Sequence, residues 1–205
     1  MLSEVEGMSL DWDAYLNKPV FLPDFLRKTL DGKGEEELIC VLGTGCGMEL
    51  PFIRMFAGEK AEIFAFDKKR LTPYIERYSK ETGVVFYEGD INDPMGIIDM
   101  MGKRIPTIVI CRQPPIFIAL GYYEGQINKP LVKGFVEWGR IIHENERQML
   151  ITVFSRYERQ VLAKSMEQAG LKPKIGKNTL VPEEAVVRIN GKIVAGEDVY
   201  WLKID

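Results

Sequence analysis

Histidine is almost absent from this sequence: His143 is the single imidazole in 205 residues. Catalytic or metal sites that draw on several imidazoles are therefore excluded. Cysteine is nearly as scarce. Cys40, Cys46 and Cys111 are odd in number, widely spaced and free of any CxxC pattern, so neither a disulfide framework nor a zinc site is expected. No run approaches the ~20 apolar residues of a membrane span. Residues 1–10 lack a basic flank leading into an apolar stretch, so they do not read as a secretion signal, and the expected compartment is the cytoplasm. An excess of one charge is also missing. The 27 Lys and Arg against 30 Asp and Glu leave a formal −3, which gives no bulk attraction to polyanions. A nucleic-acid partner would need a local basic cluster.

What is present suits one globular domain. Hydrophobic residues make up 46% and charged residues 28%, enough for a sizeable core without metal or disulfide support. Residues 1–35 carry Trp12, Tyr15, Phe21 and Phe25 without strand alternation, and are expected to form a helical extension or lid. Residues 36–205 are expected to form the core. From Leu38 onward, short apolar runs alternate with amphipathic stretches, the pattern of βαβ units around a parallel sheet.

The expected strands are 38–42, 61–66, 84–87, 107–111 and 149–154. The expected helices are 48–57, about 72–82, a short one from Pro94, about 130–143 and 157–169. Gly58 and Gly170 are placed as helix stops. The final section changes character. Asn190-Gly191 lies between two β-rich runs, which is a hairpin signal, and 199–204 adds a strand with no helix before it. The fold class expected is therefore α/β: a doubly wound, mostly parallel sheet in three α/β/α layers, ending in antiparallel strands.

In such sheets ligands bind at the carboxyl ends of the strands, beside the point where strand order reverses. The residues ending strands here are Gly43-Thr44-Gly45-Cys46-Gly47, Asp67, Asp90 and Arg112-Gln113-Pro114-Pro115. Glycines after the first strand let backbone N–H groups and the positive end of the next helix approach a ligand. Asp67, 24 residues beyond Gly43, is placed to accept hydrogen bonds from ribose hydroxyls. Asp90 is placed beside an adenine amino group. Nicotinamide enzymes favour G-x-G-x-x-G, but the sixth position here is Met48 and the third glycine comes one residue early.

G-x-G-x-G instead resembles motif I of the Rossmann-like (class I) S-adenosylmethionine-dependent methyltransferases. The resemblance runs from about residue 38 to 154 and takes in Phe66-Asp67, Glu88-Gly89-Asp90 and 110–115. It implies that Gly43, Thr44, Gly45 and Gly47 line the methionine portion of S-adenosylmethionine, that Asp67 takes the ribose hydroxyls, and that Asp90 and Ile91 flank adenine. Lys68 follows Asp67 where many members place an apolar residue against the adenine. Val41 stands where the family usually has an acid. Gln113-Pro114-Pro115-Ile116 sits where one branch, methylating amino groups, has Asn/Asp-Pro-Pro-Tyr/Phe. Gln113 and Arg112 are accordingly the candidates to touch the methyl acceptor.

Plainer readings stand beside these. The glycines suit any tight strand-to-helix turn, Pro114-Pro115 any stiff loop, and His143 the dipole end of a helix. The Lys68-Lys69-Arg70 and Lys172/Lys174/Lys177 groups read as phosphate contacts or as solvated surface. A small-molecule acceptor is expected ahead of RNA or protein. A nicotinamide-dependent oxidoreductase and a noncatalytic binding domain remain the alternatives.

Overall fold

The computed structural model describes residues 22–30, 37–45, 47, 49–68, 79–118, 126–181, 186–189 and 192–205. Expectations that fall on residues 1–21, 31–36, 69–78, Cys46, Met48 and the Asn190-Gly191 turn lie outside the described residues.

The elements follow in order: α1 (Leu22–Thr29), β1 (Leu38–Leu42), α2 (Leu50–Ala57), β2 (Glu62–Asp67), β3 (Val85–Glu88), α3 (Pro94–Met100), β4 (Ile108–Arg112), β5 (Phe117–Ile118), β6 (Gln126–Ile127), α4 (Lys129–Glu144), β7 (Gln148–Ser155), α5 (Arg156–Gln168), β8 (Lys174–Lys177), β9 (Val186–Ile189) and β10 (Lys192–Ile204). Residues 79–82 are helical as well.

Helix boundaries follow local chemistry. α2 carries Pro51 in its first turn and stops at Gly58, whose φ of 74° lets its N–H return to the Arg54 carbonyl. Asp93 caps α3 by accepting from Gly96 N–H at 3.0 Å. α5 opens with a complete capping box: the Ser155 hydroxyl accepts from Glu158 N–H, and the Glu158 carboxylate accepts from Ser155 N–H.

One sheet runs in the order β3-β2-β1-β4-β7-β10-β8, with β9 paired to β10 beside that path. β3, β2, β1, β4 and β7 are parallel, whereas β10 is antiparallel to β7, β8 and β9. Strand direction alternates the side chains between two cores. Cys40 and Leu42 face the α3, α4 and α5 layer, where Trp138 is wholly buried and its Nε1–H donates to the Ile91 carbonyl at 3.2 Å. Ile39 and Val41 face the α1 and α2 layer with Leu22, Phe25, Leu50 and Ile53. The three-layer architecture expected from sequence is the observed one.

Two features differ from the sequence expectation. The hairpin arm and the 199–204 strand are one strand, β10, interrupted by a register shift between Ala195 and Tyr200. β8 was not expected, because Lys174-Ile175-Gly176-Lys177 is mostly exposed and shows no alternation. Gly176 is needed there: a Cβ would lie 2.2 Å from Cζ2 of Trp201, whose ring crosses the strand at that point. Among the described residues no helix is long and apolar enough to cross a membrane.

Candidate functional site

Strand order reverses between β1 and β4, since β2 and β3 extend one way from β1 and β4 and β7 the other. The crevice above such a point is where open parallel sheets hold their ligands. Parallel register brings the carboxyl ends together: Leu42 lies beside Phe66 and Cys111, Asp67 beside Glu88, and Arg112 beside Thr152. All the expected strand-end groups therefore sit on one edge of the sheet.

The glycine loop is held by backbone bonds from Gly43 N–H to the Phe66 carbonyl (2.8 Å) and from Gly47 N–H to the Thr44 carbonyl (2.7 Å). Gly43, Gly45 and Gly47 have φ of 67°, 54° and 77°. Three left-handed residues in five positions demand glycine. Nothing lies within 4 Å of the place a Gly45 Cβ would occupy, so this stretch of backbone is open on its outer side. Asp67 turns back onto the loop, and its Oδ2 accepts from Gly45 N–H at 2.8 Å. The acid ending β2 is thereby locked to the loop after β1. Thr44 is buried, and its hydroxyl has no partner among the described residues.

At the next strand end, Asp90 is exposed. Its Oδ1 accepts from Asn92 N–H at 2.9 Å, and Lys68 Nζ lies 3.0 Å from its Oδ2. Ile91 is buried against the α4 layer, where its carbonyl receives the Trp138 indole.

Arg112 lies in a charged cluster that the sequence did not reveal. Its Nε and Nη2 donate to the Asp198 carboxylate, with Nη2 to Oδ2 at 2.5 Å, and Thr152 Oγ1 donates to Asp198 Oδ1 at 2.6 Å. Asp198 has no exposed surface and a φ of 52°. Bidentate arginine–carboxylate pairing is among the stronger protein hydrogen-bond arrangements. Glu49, at the start of α2, places Oε2 3.9 Å from Arg112 Nη1. Gln113 is different. Its φ of 47° is uncommon for a residue with a side chain, its N–H donates to the Thr152 carbonyl at 2.9 Å, and its side-chain amide has no partner among the described residues. Ile116 is wholly buried, so no ring or side chain at that position reaches the crevice.

Burial pushes the Glu49 carboxyl up to about 7; Arg112 opposes the shift, while Asp198 and Asp67 add to it. The folded chain therefore keeps this proton to near pH 7, whereas an exposed glutamate loses it near 4.5. The native state binds more protons over that interval, so stability falls as pH rises through it. Glu49→Gln should remove this slope and, at pH 8, exceed the parent in stability by up to about 3 kcal/mol. Urea midpoints at pH 5 and pH 8 measure it, and parallel pH trends in parent and variant would contradict the assignment.

Cysteine chemistry finds no support among the described residues. Cys40 and Cys111 are both buried, and burial pushes both thiols up. His143, at the end of α4, contacts the Asp205 carbonyl through Nδ1 at 3.0 Å and is remote from the crevice in the fold.

No family model matches the sequence, and no curated protein is similar to it. Solved structures are. A SAM-dependent O-methyltransferase from Thermotoga maritima is 11% identical, with 88% of this chain covering 63% of that one at a TM-score of 0.53. A SAM-dependent methyltransferase from Agrobacterium tumefaciens is 12% identical, with 92% covering 62% at 0.59. Another from Aquifex aeolicus is 18% identical, with 92% covering 97% at 0.50. The chain thus spans less than two thirds of the first two. These likenesses, with the strand order above, establish the Rossmann-like methyltransferase fold.

Proposed function

We propose that this chain binds S-adenosylmethionine at the glycine-loop crevice and acts as a methyltransferase on a small-molecule acceptor. The observation that carries the proposal is the bond from Gly45 N–H to Asp67. It joins an open, left-handed glycine loop to an acid at the end of the neighbouring strand, which is the pairing a ribose-bearing ligand needs. The residues present fit that ligand. The loop backbone between Gly43 and Gly47 lies against the methionine portion, Thr44 offers a buried hydroxyl, Asp67 meets the ribose, and Asp90 with Lys68 borders the adenine.

A sulfonium supplies its own good leaving group, so the protein need contribute little acid or base catalysis. Its task is to align the acceptor in line with the methyl–sulfur bond and to exclude water. A site with one unpartnered amide and no imidazole suits that task. We assign Gln113 to the acceptor, since its strained backbone holds a free side-chain amide at the crevice edge. Arg112 is assigned a positioning role, because its guanidinium is engaged by Asp198.

Calorimetric titration tests the proposal. Saturable binding of S-adenosylhomocysteine with no binding of nicotinamide dinucleotides is the expected result, and the reverse would identify an oxidoreductase. Gln113→Ala should slow methyl transfer by ~10-fold or more, since a hydrogen bond of about 1.5 kcal/mol is lost, and should leave cofactor affinity unchanged. A fall in cofactor affinity instead would move Gln113 to the cofactor side. One observation favours a noncatalytic binding module as the second reading. Val41 is an apolar core residue of the α1/α2 layer, so β1 brings no carboxylate to the loop. Cofactor binding without label transfer to metabolite, RNA or protein fractions of a cell extract would select that reading.

A further inference from the structure

Away from the crevice, on the α1 side of the sheet, a pocket of about 270 Å³ opens between the end of α1 and the β10–β8 edge. This is several times the ~30 Å³ that one water occupies in the liquid. Four lysines from three elements line it: Lys28, Lys174, Lys177 and Lys203, with Trp201 and Asn178 between them. Among the described residues no carboxylate lines it, and the Asp205 carboxylate is held by Lys174 and Lys203.

Several features make this more than a solvated face. Lys203 and Lys174 stand directly opposite in antiparallel register, an arrangement that like charges disfavour. Lys203 is only 4% exposed, and a buried ammonium requires a counter-charge. Asp205 meets both, at 2.8 Å from Lys203 and in contact with Lys174, so one side chain is shared between two cations. Lys28 has no carboxylate partner among the described residues, whereas the Lys177 ammonium rests over the Tyr200 ring at 5.4 Å, on the α5 face of the sheet and away from the pocket. Asn178 is 92% buried; its Oδ1 accepts from Leu180 N–H, while its Nδ2 donors meet no acceptor. Among the described residues, the groups left without partners at the pocket are thus the Lys28 ammonium and the Asn178 amide, both donors. Trp201 crosses Gly176 to form an aromatic wall beside them.

We infer that this pocket is a second binding site, for the phosphate of a nucleotide unit whose base lies against Trp201. Ammonium groups meet the phosphate oxygens and the Asn178 amide supplies a further donor, while an indole face accepts any base. The nucleotide has two possible sources, a free mononucleotide or a residue of RNA. The site is independent of the cofactor reading, because its residues belong to other elements of the fold.

The test uses uridine monophosphate and a ten-residue oligouridylate, both lacking adenosine, followed by amide resonances of the isotope-labelled chain. Saturable shifts at the Asn178 side-chain amide and the Trp201 indole are expected. They should weaken at least ten-fold in the Lys28→Glu/Lys174→Gln double variant and persist in Asp67→Ala. Tighter, steeply salt-dependent binding of the oligomer would identify RNA as the source, and equal binding a free nucleotide. No saturable shift with either probe, or equal binding by the double variant, would overturn the inference. Both replaced lysines are exposed, so the double variant is expected to fold; its circular dichroism checks this.

Discussion

Arg112→Ala should destabilise the folded chain by about 3–5 kcal/mol, the cost of leaving a buried charge without its partner. Asp198 is wholly enclosed, and among the described residues its remaining hydrogen bond after the substitution is from the Thr152 hydroxyl at 2.6 Å. The carboxylate has no exposed surface in the folded chain, so loss of the guanidinium leaves its charge poorly solvated. The urea midpoint should fall with an unchanged slope, since the surface buried by folding is the same. Adding Asp198→Asn to the variant removes the orphaned charge and should restore a large part of the loss. A single variant that loses less than 1 kcal/mol would mean that the pair is solvated. A double variant no better than the single would mean that Arg112 acts through packing of its stem.

Asp67→Ala should weaken S-adenosylhomocysteine by about 10- to 100-fold, because hydrogen bonds to charged groups are worth roughly 1.5–3 kcal/mol. Two losses combine in this residue. The ligand loses a charged acceptor for its ribose, and the loop loses the anchor on Gly45 N–H. Asp67→Asn separates them: an amide oxygen can still accept from Gly45 but carries no charge, so an intermediate loss is expected. Calorimetry gives the affinities and circular dichroism verifies the fold. Unchanged affinity in a well-folded Asp67→Ala would refute the ribose assignment.

The parts of this molecule that were readable from sequence are those determined within one element. The run 38–42 is apolar throughout because β1 is covered on both faces, and Gly58, Pro94 and Gly170 each mark a helix end through geometry confined to neighbouring residues. The glycine loop, Asp67, Asp90 and Arg112-Gln113 were placed correctly on one edge because each directly follows or ends a strand. Glu49 and Asp198 were missed for the opposite reason. Arg112 and Asp198 are 86 residues apart, and they meet only because β10 inserts beside β7. Glu49 carries a weak signal, an acid at the N-cap of the helix after the loop, but nothing local tells that it turns inward. β8 is held by pairing with β10 and by the Trp201 ring over Gly176, neither of which leaves a hydrophobic pattern in Lys174–Lys177.

The placing of β10 also bears on how the chain reaches this state. β10 lies inside the sheet, between β7 and β8, yet it follows both in the sequence. While the chain is being synthesised, β7 can join β4 but must wait with its other edge open, and β8 has no strand to join. Leu150, Ile151 and Val153 are on that waiting strand. A nascent or truncated chain would therefore present an apolar, unpaired edge of the sort that invites association with other chains. β10 emerges after both of its neighbours and joins them, and because Asp198 lies on it, pairing of β10 with β7 also brings Asp198 to Arg112.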